Sequence, residues 1–258
     1  MCRSYLLLSL VLLVGCATQP PAPKARIAIG RSQTLAPAAP INAQPPSTDP
    51  DAVQEKLLLD ASLALKTGLA QQAIDNALDP IIATFESNWG HSERRVYSAR
   101  TQAEAVFYMG DAVAHHQDAI VVGAVWAQAY ELKAYALLDL GRKDEARTTL
   151  DRALQLSPEN AGFLEELGAH YEAEKNWPQA LATFQHAERA AQTYSPPVMK
   201  NDELARAWRG IAFVYAETGK LDDAEALYHR CLDLNANDQR AAAELRYVRG
   251  LRAQRGTH

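Results

Sequence analysis

Cysteine is nearly missing from this chain of 258 residues: there are three, and two of them, Cys2 and Cys16, stand close to the amino terminus, leaving Cys231 alone in the rest. No intramolecular disulfide framework and no zinc ribbon is possible with that count, so stability has to come from packing. Basic residues are also too few for a phosphate-binding face, with 26 Lys and Arg against 31 Asp and Glu, and nucleic acid is excluded as a partner on that ground. Beyond the amino-terminal leader no stretch approaches 18 uncharged apolar residues, so nothing later in the chain is expected to enter a bilayer. Glycine-rich phosphate loops are absent, and Ser98 in Tyr97-Ser98-Ala99-Arg100 has neither a glycine elbow nor an identifiable histidine partner. His115-His116 is the one adjacent histidine pair, but neighbours on a helix diverge by about 100° and cannot chelate one ion together. Glu165-Glu166 and Asp222-Asp223 read as solvated helix and turn residues. We expect no metal, no cofactor, no catalytic residues and no enzymatic activity.

What the chain does have begins with its leader. Arg3 supplies a positive start, Tyr5 to Val14 form a short apolar core, and Leu13-Val14-Gly15-Cys16 closes it. The core falls short of the roughly 20 residues that span a bilayer. The segment resembles a bacterial lipoprotein signal. That resemblance implies cleavage after residue 15, palmitate or a similar acyl chain on Cys16, and a tether, since two or three acyl chains hold a protein on a membrane where one does not. Cys2 leaves with the leader, as does Arg3, which makes the mature formal charge 25 minus 31, or −6. Ala17, in place of the aspartate that retains enteric lipoproteins in the inner membrane, implies the outer membrane and a periplasm-facing domain.

From Ala17 to Pro50 eight of the thirteen prolines occur among Ala, Gln, Ser and Thr. Such a composition cannot bury enough apolar surface to offset the entropy of ordering, so residues 16–50 are predicted to form a disordered tether, up to about 100 Å long when stretched. Ile27-Ala28-Ile29 is read as an incidental apolar triplet rather than a docking strand. Asp51 onward is rich in Ala, Leu, Glu, Gln and Arg with isolated glycine breaks, which predicts helix almost throughout.

The helical part repeats itself at 34 residues. Ala134, Gly141, Ala146, Leu150 and Ala153 are followed one period later by Gly168, Lys175, Ala180, Phe184 and Ala187, and a third copy carries Ala212, Gly219, Ala224, Tyr228 and Cys231. Two helices approach closely only where one presents Gly or Ala to a knob on the other. Gly141 and Gly219 suit helix ends that need a left-handed residue. The pattern resembles the tetratricopeptide repeat, a helix-turn-helix unit of this period. The resemblance implies an all-α solenoid, with repeats at 127–160, 161–194 and 205–238, an insertion at 195–204 and a capping helix and tail at 239–258. Two weaker units are expected before them. Residues 51–92 form a degenerate helical repeat whose second helix Asp79-Pro80 interrupts. Residues 93–126 form another, with Ala112 and Ala119 in register but Arg100 where a small residue is wanted.

If the units stack as in the family, their first helices line a concave groove for a protein or peptide ligand. Register assigns to it Gln128, Glu131 and Tyr135, then Glu165 and Glu172, then Arg206, Arg209, Phe213 and Glu217. The lysine and asparagine of the family's chaperone-tail clamps are missing from these positions, so that ligand is not implied. Arg240, Arg246, Arg249, Arg252 and Arg255 make the last helix basic, in keeping with its carboxyl-terminal dipole or with an acidic partner. The reading is a lipid-anchored protein-binding scaffold in envelope assembly or cell-wall remodelling. A pilotin-like assembly factor for a secretin or pilus is the alternative, and an enzyme with its site in residues 88–123 the remote one.

Overall fold

The computed structural model describes residues 50–255. The expected leader, Cys16, the tether up to residue 49 and the Ile27-Ala28-Ile29 triplet lie outside them. The chain opens with α1 (Pro50–Lys66), and after a turn at Gly68, φ +77°, come α2 (Ala70–Ala73), a π-helical turn (Ile74–Leu78) and α3 (Asp79–Trp89). A new helical segment starts at Asp79-Pro80, but the chain does not break there: the π turn runs into it directly. Proline lacks a donor and its ring collides with the carbonyl four residues back, but the wider turn absorbs this. The Asp79 amide donates to Ile74 O, five residues back, which places Pro80 in the first turn of α3, where no donor is needed. Ala61, Leu78, Ile81, Ala129, Ala136 and Leu137 then close a first core, in which this hairpin packs against the first complete repeat.

Residues 93–126 correct the expectation of a degenerate repeat. They form a β-α-β unit: β1 (Arg95–Ala99), α4 (Gln102–Ala114) and β2 (Ala119–Gly123), with the strands parallel and Arg95 opposite Ala119. Ile120-Val121-Val122 is a β-branched run that suits a strand. Thr101 is the N-cap of α4, its hydroxyl accepting from the Glu104 amide at 3.1 Å, so the chain before it is extended rather than helical. Ala112 and Ala119 are buried, but against Tyr97 and Tyr108, whose rings stack at 4.9 Å. Ser98 is sealed in the sheet and donates to Gly123 O at 2.7 Å. His115 and His116 end α4 exposed to solvent.

The regular array follows: α5 (Val125–Asp139) and α6 (Lys143–Leu156), α7 (Ala161–Ala173) and α8 (Trp177–Thr193), α9 (Lys200–Glu217) and α10 (Leu221–Leu234), then α11 (Gln239–Arg255). Gly141, Lys175 and Gly219 hold the same left-handed position, φ +76°, +56° and +85°. At Lys175 a side chain sits where glycine carries no steric cost. Gly168 does what its spacing predicted, and Gly210, which the repeat did not single out, acts with it. A Cβ on Gly168 would lie 2.6 Å from the Phe184 ring and one on Gly210 2.5 Å from it, so a single aromatic locks α8 between α7 and α9. Only half of the 195–204 insertion is a connection. Pro196 and Pro197 cannot extend α8, and Lys200 to Leu204 form extra helix at the start of α9, burying Glu203 and Leu204. In α11, Ala241, Leu245 and Val248 cover the last face, while Arg249 and Arg252 turn back onto Glu225 of α10 at 2.8 Å each. Among the described residues no helix is long and apolar enough to cross a membrane.

One buried ionic cluster joins the β-α-β unit to the array. Arg100 donates through Nε to Glu104 at 3.0 Å and through Nη1 to Glu203 at 2.6 Å, and Ser195 donates to the other Glu203 oxygen. Glu104 and Glu203 are 0% and 1% exposed. Alongside, Thr101 donates to Tyr194 O at 3.0 Å, and the Phe107 and Tyr194 rings meet at 5.1 Å. Burial pushes the Glu104 carboxyl up and Arg100 pulls it back. The segment 88–123 therefore spends its central charged groups on holding the fold. Removing the guanidinium alone leaves two buried carboxylates without a counter-charge. Arg100→Met should cost about 3–5 kcal/mol in urea unfolding, while Arg100→Met with Glu104→Met and Glu203→Met should recover most of it. A single variant as stable as the wild type would show that the cluster holds nothing.

Candidate partner-binding groove

The first helices α5, α7 and α9 lie along one face, each held by a second helix behind it, with α7 against α9 directly. Large and small residues alternate on their buried side, so the positions between them are left to this face. Glu165, Glu172, Arg206, Arg209 and Phe213, all expected in the groove, line one cleft of about 490 Å³ between α7, α9 and α11. Its remaining walls are Glu166, Ala169, Phe184, Gly210, Tyr228, Gln239, Arg240, Ala243 and Glu244. Sequence register missed the contribution of α11, because a capping helix has no place in the repeat; the acid at Glu244, four residues after Arg240, was the available signal.

Glu131 and Tyr135 lie elsewhere, in a shallow recess with Glu166 and His170 between α5 and α7. Tyr135 is 50% exposed and free to meet a ligand. Gln128 is half-buried and Glu217 exposed, and neither lines the cleft or the recess.

The charges are not equally free. Arg206 reaches Glu165 at 2.6 Å and keeps much of its side chain in solvent. Arg209 is committed: it pairs with Asp238, whose other oxygen accepts from the Ala241 amide at 3.0 Å and so caps α11. It serves as an architectural tie rather than the open anchor that register implied. Glu188, on the opposite side, accepts from Trp208 Nε1 at 2.7 Å. The carboxyls facing the cleft and recess are crowded. Burial pushes Glu165 up to about 9 against the pull of Arg206. Burial and then Glu166 push Glu131 up to about 7, and burial and then Glu244 and Glu217 raise Glu172. Carboxyls and arginines thus share this face, and among the described residues Glu172 and Glu244 have no ion-pair partner there. Among the described residues no group of His, Cys, Asp and Glu is arranged to hold a metal.

Comparison with known proteins agrees with this geometry. Tetratricopeptide-repeat family models match residues 127–170 and 205–238. The chain contains tetratricopeptide repeats. No curated protein sequence matches it. Among solved structures, PilF of Pseudomonas aeruginosa superposes with a TM-score of 0.53 at 15% identity, over 79% of this chain and 71% of that one. The near-identical repeats of a putative kinesin light chain from Podosopora anserina give 0.46 at 14% identity, over 80% of this chain and 97% of that one. The first repeat domain of Spaghetti (RPAP3), bound to an HSP90 peptide, gives 0.41 at 22% identity, over 49% and 93%. At such identities the likeness to PilF is one of fold.

Because Arg209 ties α9 to the start of α11, Arg209→Ala should lower stability by about 1–3 kcal/mol and speed amide exchange at the start of α11. Tyr135→Ala should leave melting unchanged. Equal melting of the two variants would return Arg209 to the role of a free surface anchor.

Proposed function

We propose that this repeat protein is a lipid-anchored, periplasm-facing scaffold that binds a segment of another envelope protein along the face of α5, α7 and α9. The observation that carries the reading is the cleft: five residues from two helices, separated by up to about fifty positions in sequence, converge on one open surface that no element of the described fold covers. A solenoid with no use for that surface would not keep apolar Phe213 and uncompensated carboxyls there. The lipoprotein-like leader and proline-rich tether support a position at the membrane, with reach toward partners in cell-wall remodelling or envelope assembly. Binding and holding, not chemistry, is the activity this arrangement serves.

Two measurements test the halves separately. Labelled palmitate should enter the wild type and not Cys16→Ser; incorporation that survives the substitution removes the anchor from the account. The chain purified from detergent should carry a partner whose yield falls at least tenfold, or about 1.4 kcal/mol, in Tyr135→Ala with Phe213→Leu, at unchanged helicity. The captured protein's identity separates cell-wall machinery from a secretin or pilus channel. Undiminished capture by the double variant would place binding elsewhere.

A further inference from the structure

The cleft between α7, α9 and α11 contains a group that the fold leaves unanswered. Tyr228 is 0% exposed and lines the cleft, yet its hydroxyl has no hydrogen-bond partner. A buried polar group left this way costs about 1–3 kcal/mol, and native proteins rarely carry one without a use. The acids Glu244 and Glu172 act on it most strongly among its charged neighbours, and the one cation acting on it, Arg209, is tied to Asp238. Glu172 on α7 and Glu244 on α11 line the same cleft, and Glu217 on α9 adds its field. Among the described residues no cation pairs with any of the three. The arginines of the cleft are placed otherwise: Arg206 faces Glu165, Arg209 is bound to Asp238, and Arg240 is exposed. Beside the acids the walls are apolar, formed by Phe213, Phe184, Ala169 and Ala243.

An anion would add to three carboxylates that already repel one another. A bare metal ion would leave the apolar wall unused. A group with an apolar stem and a cationic end satisfies both. We propose that this cleft takes the side chain of a lysine or arginine from a partner's segment, its methylenes against Phe213 and Ala243 and its charged end donating to Glu172, Glu244 and the Tyr228 hydroxyl. The inference rests on the reading of this face as a partner-binding groove and names the chemistry of what it binds. Crowding agrees with it: burial and mutual repulsion hold the Glu172 carboxyl above its ordinary range, and a bound cation relieves that repulsion.

The test uses the full chain and three fluorescein-labelled nonapeptides of alanine and leucine with lysine, serine or glutamate at every third position, followed by anisotropy. The lysine peptide should bind, and the glutamate peptide should not. Glu172→Gln with Glu244→Gln should weaken the lysine peptide at least tenfold, while Glu55→Gln with Asp233→Asn, which removes the same charge from exposed positions that do not line the cleft, should change it less than twofold. Tyr228→Phe should weaken it about fivefold with melting unchanged or raised, since the lost hydroxyl was unpartnered. Equal losses in the two charge-removing pairs would reduce the effect to net charge and overturn the proposal. Binding of the serine or glutamate peptide instead, abolished by Tyr135→Ala with Phe213→Leu, would overturn the cationic ligand and leave the groove standing. If no peptide's binding responds to those two substitutions, the groove and the cation fall together.

Discussion

The Arg100 guanidinium is buried between two carboxylates that come from different parts of the chain, and the architecture follows from satisfying it. Glu104 lies one turn away and belongs to the β-α-β unit. Glu203 lies more than a hundred residues on, at the start of α9, on the extra helix that the insertion supplies. Taking three charges out of water is expensive and returns its cost only with near-complete pairing, so such a cluster fixes geometry more than it adds stability. The pairing sets β1 against the array and engages the first turn of α9, which begins at Lys200 and carries Glu203. The start of α9 in turn sets where Arg206 and Phe213 face the cleft.

Beyond that clasp the array is held by shape. Phe184 fills the space left by Gly168 and Gly210, so a unit is tied to the next by an aromatic that neither unit could bury alone. Stability of this kind is nearest-neighbour, and it explains why the terminal faces are covered, by the α1 to α3 hairpin at one end and α11 at the other. It also explains why the working face can be charged and half-open. The apolar residues are spent behind it, between first and second helices, and the face toward solvent is free to carry charge that costs the core little.

Much of this was legible in the sequence, because the repeat is written in local sterics. A glycine before a charged turn, a small residue opposite a large one, and a fixed spacing suffice to place α5 to α10 and five of the residues that line the cleft. The β-α-β unit was not legible from period alone, since Ala112 and Ala119 fall in register by coincidence and are small for a different reason, the stacked Tyr97 and Tyr108. Two local signals were present, the Thr101-x-x-Glu104 cap and the Ile120-Val121-Val122 run, and both outrank a spacing match. Pro80 was legible as the start of a helical segment, while the π turn that joins it to α2 without a break was not, since it depends on how α1 and α5 pack against it. The role of Arg209 was hidden for the simplest reason: its partner, Asp238, is 29 residues away, and only the packing of α11 brings them together.

The central claim is that the partner lies on the face of the first helices. Site-specific photo-crosslinking in living cells reads it directly, with a benzophenone side chain placed in turn at Tyr135, Phe213, Arg189 and Asp233. The account predicts adducts of the same protein from Tyr135 and Phe213, and none from Arg189 on α8 or Asp233 on α10. Adducts from the second-helix positions alone would contradict it.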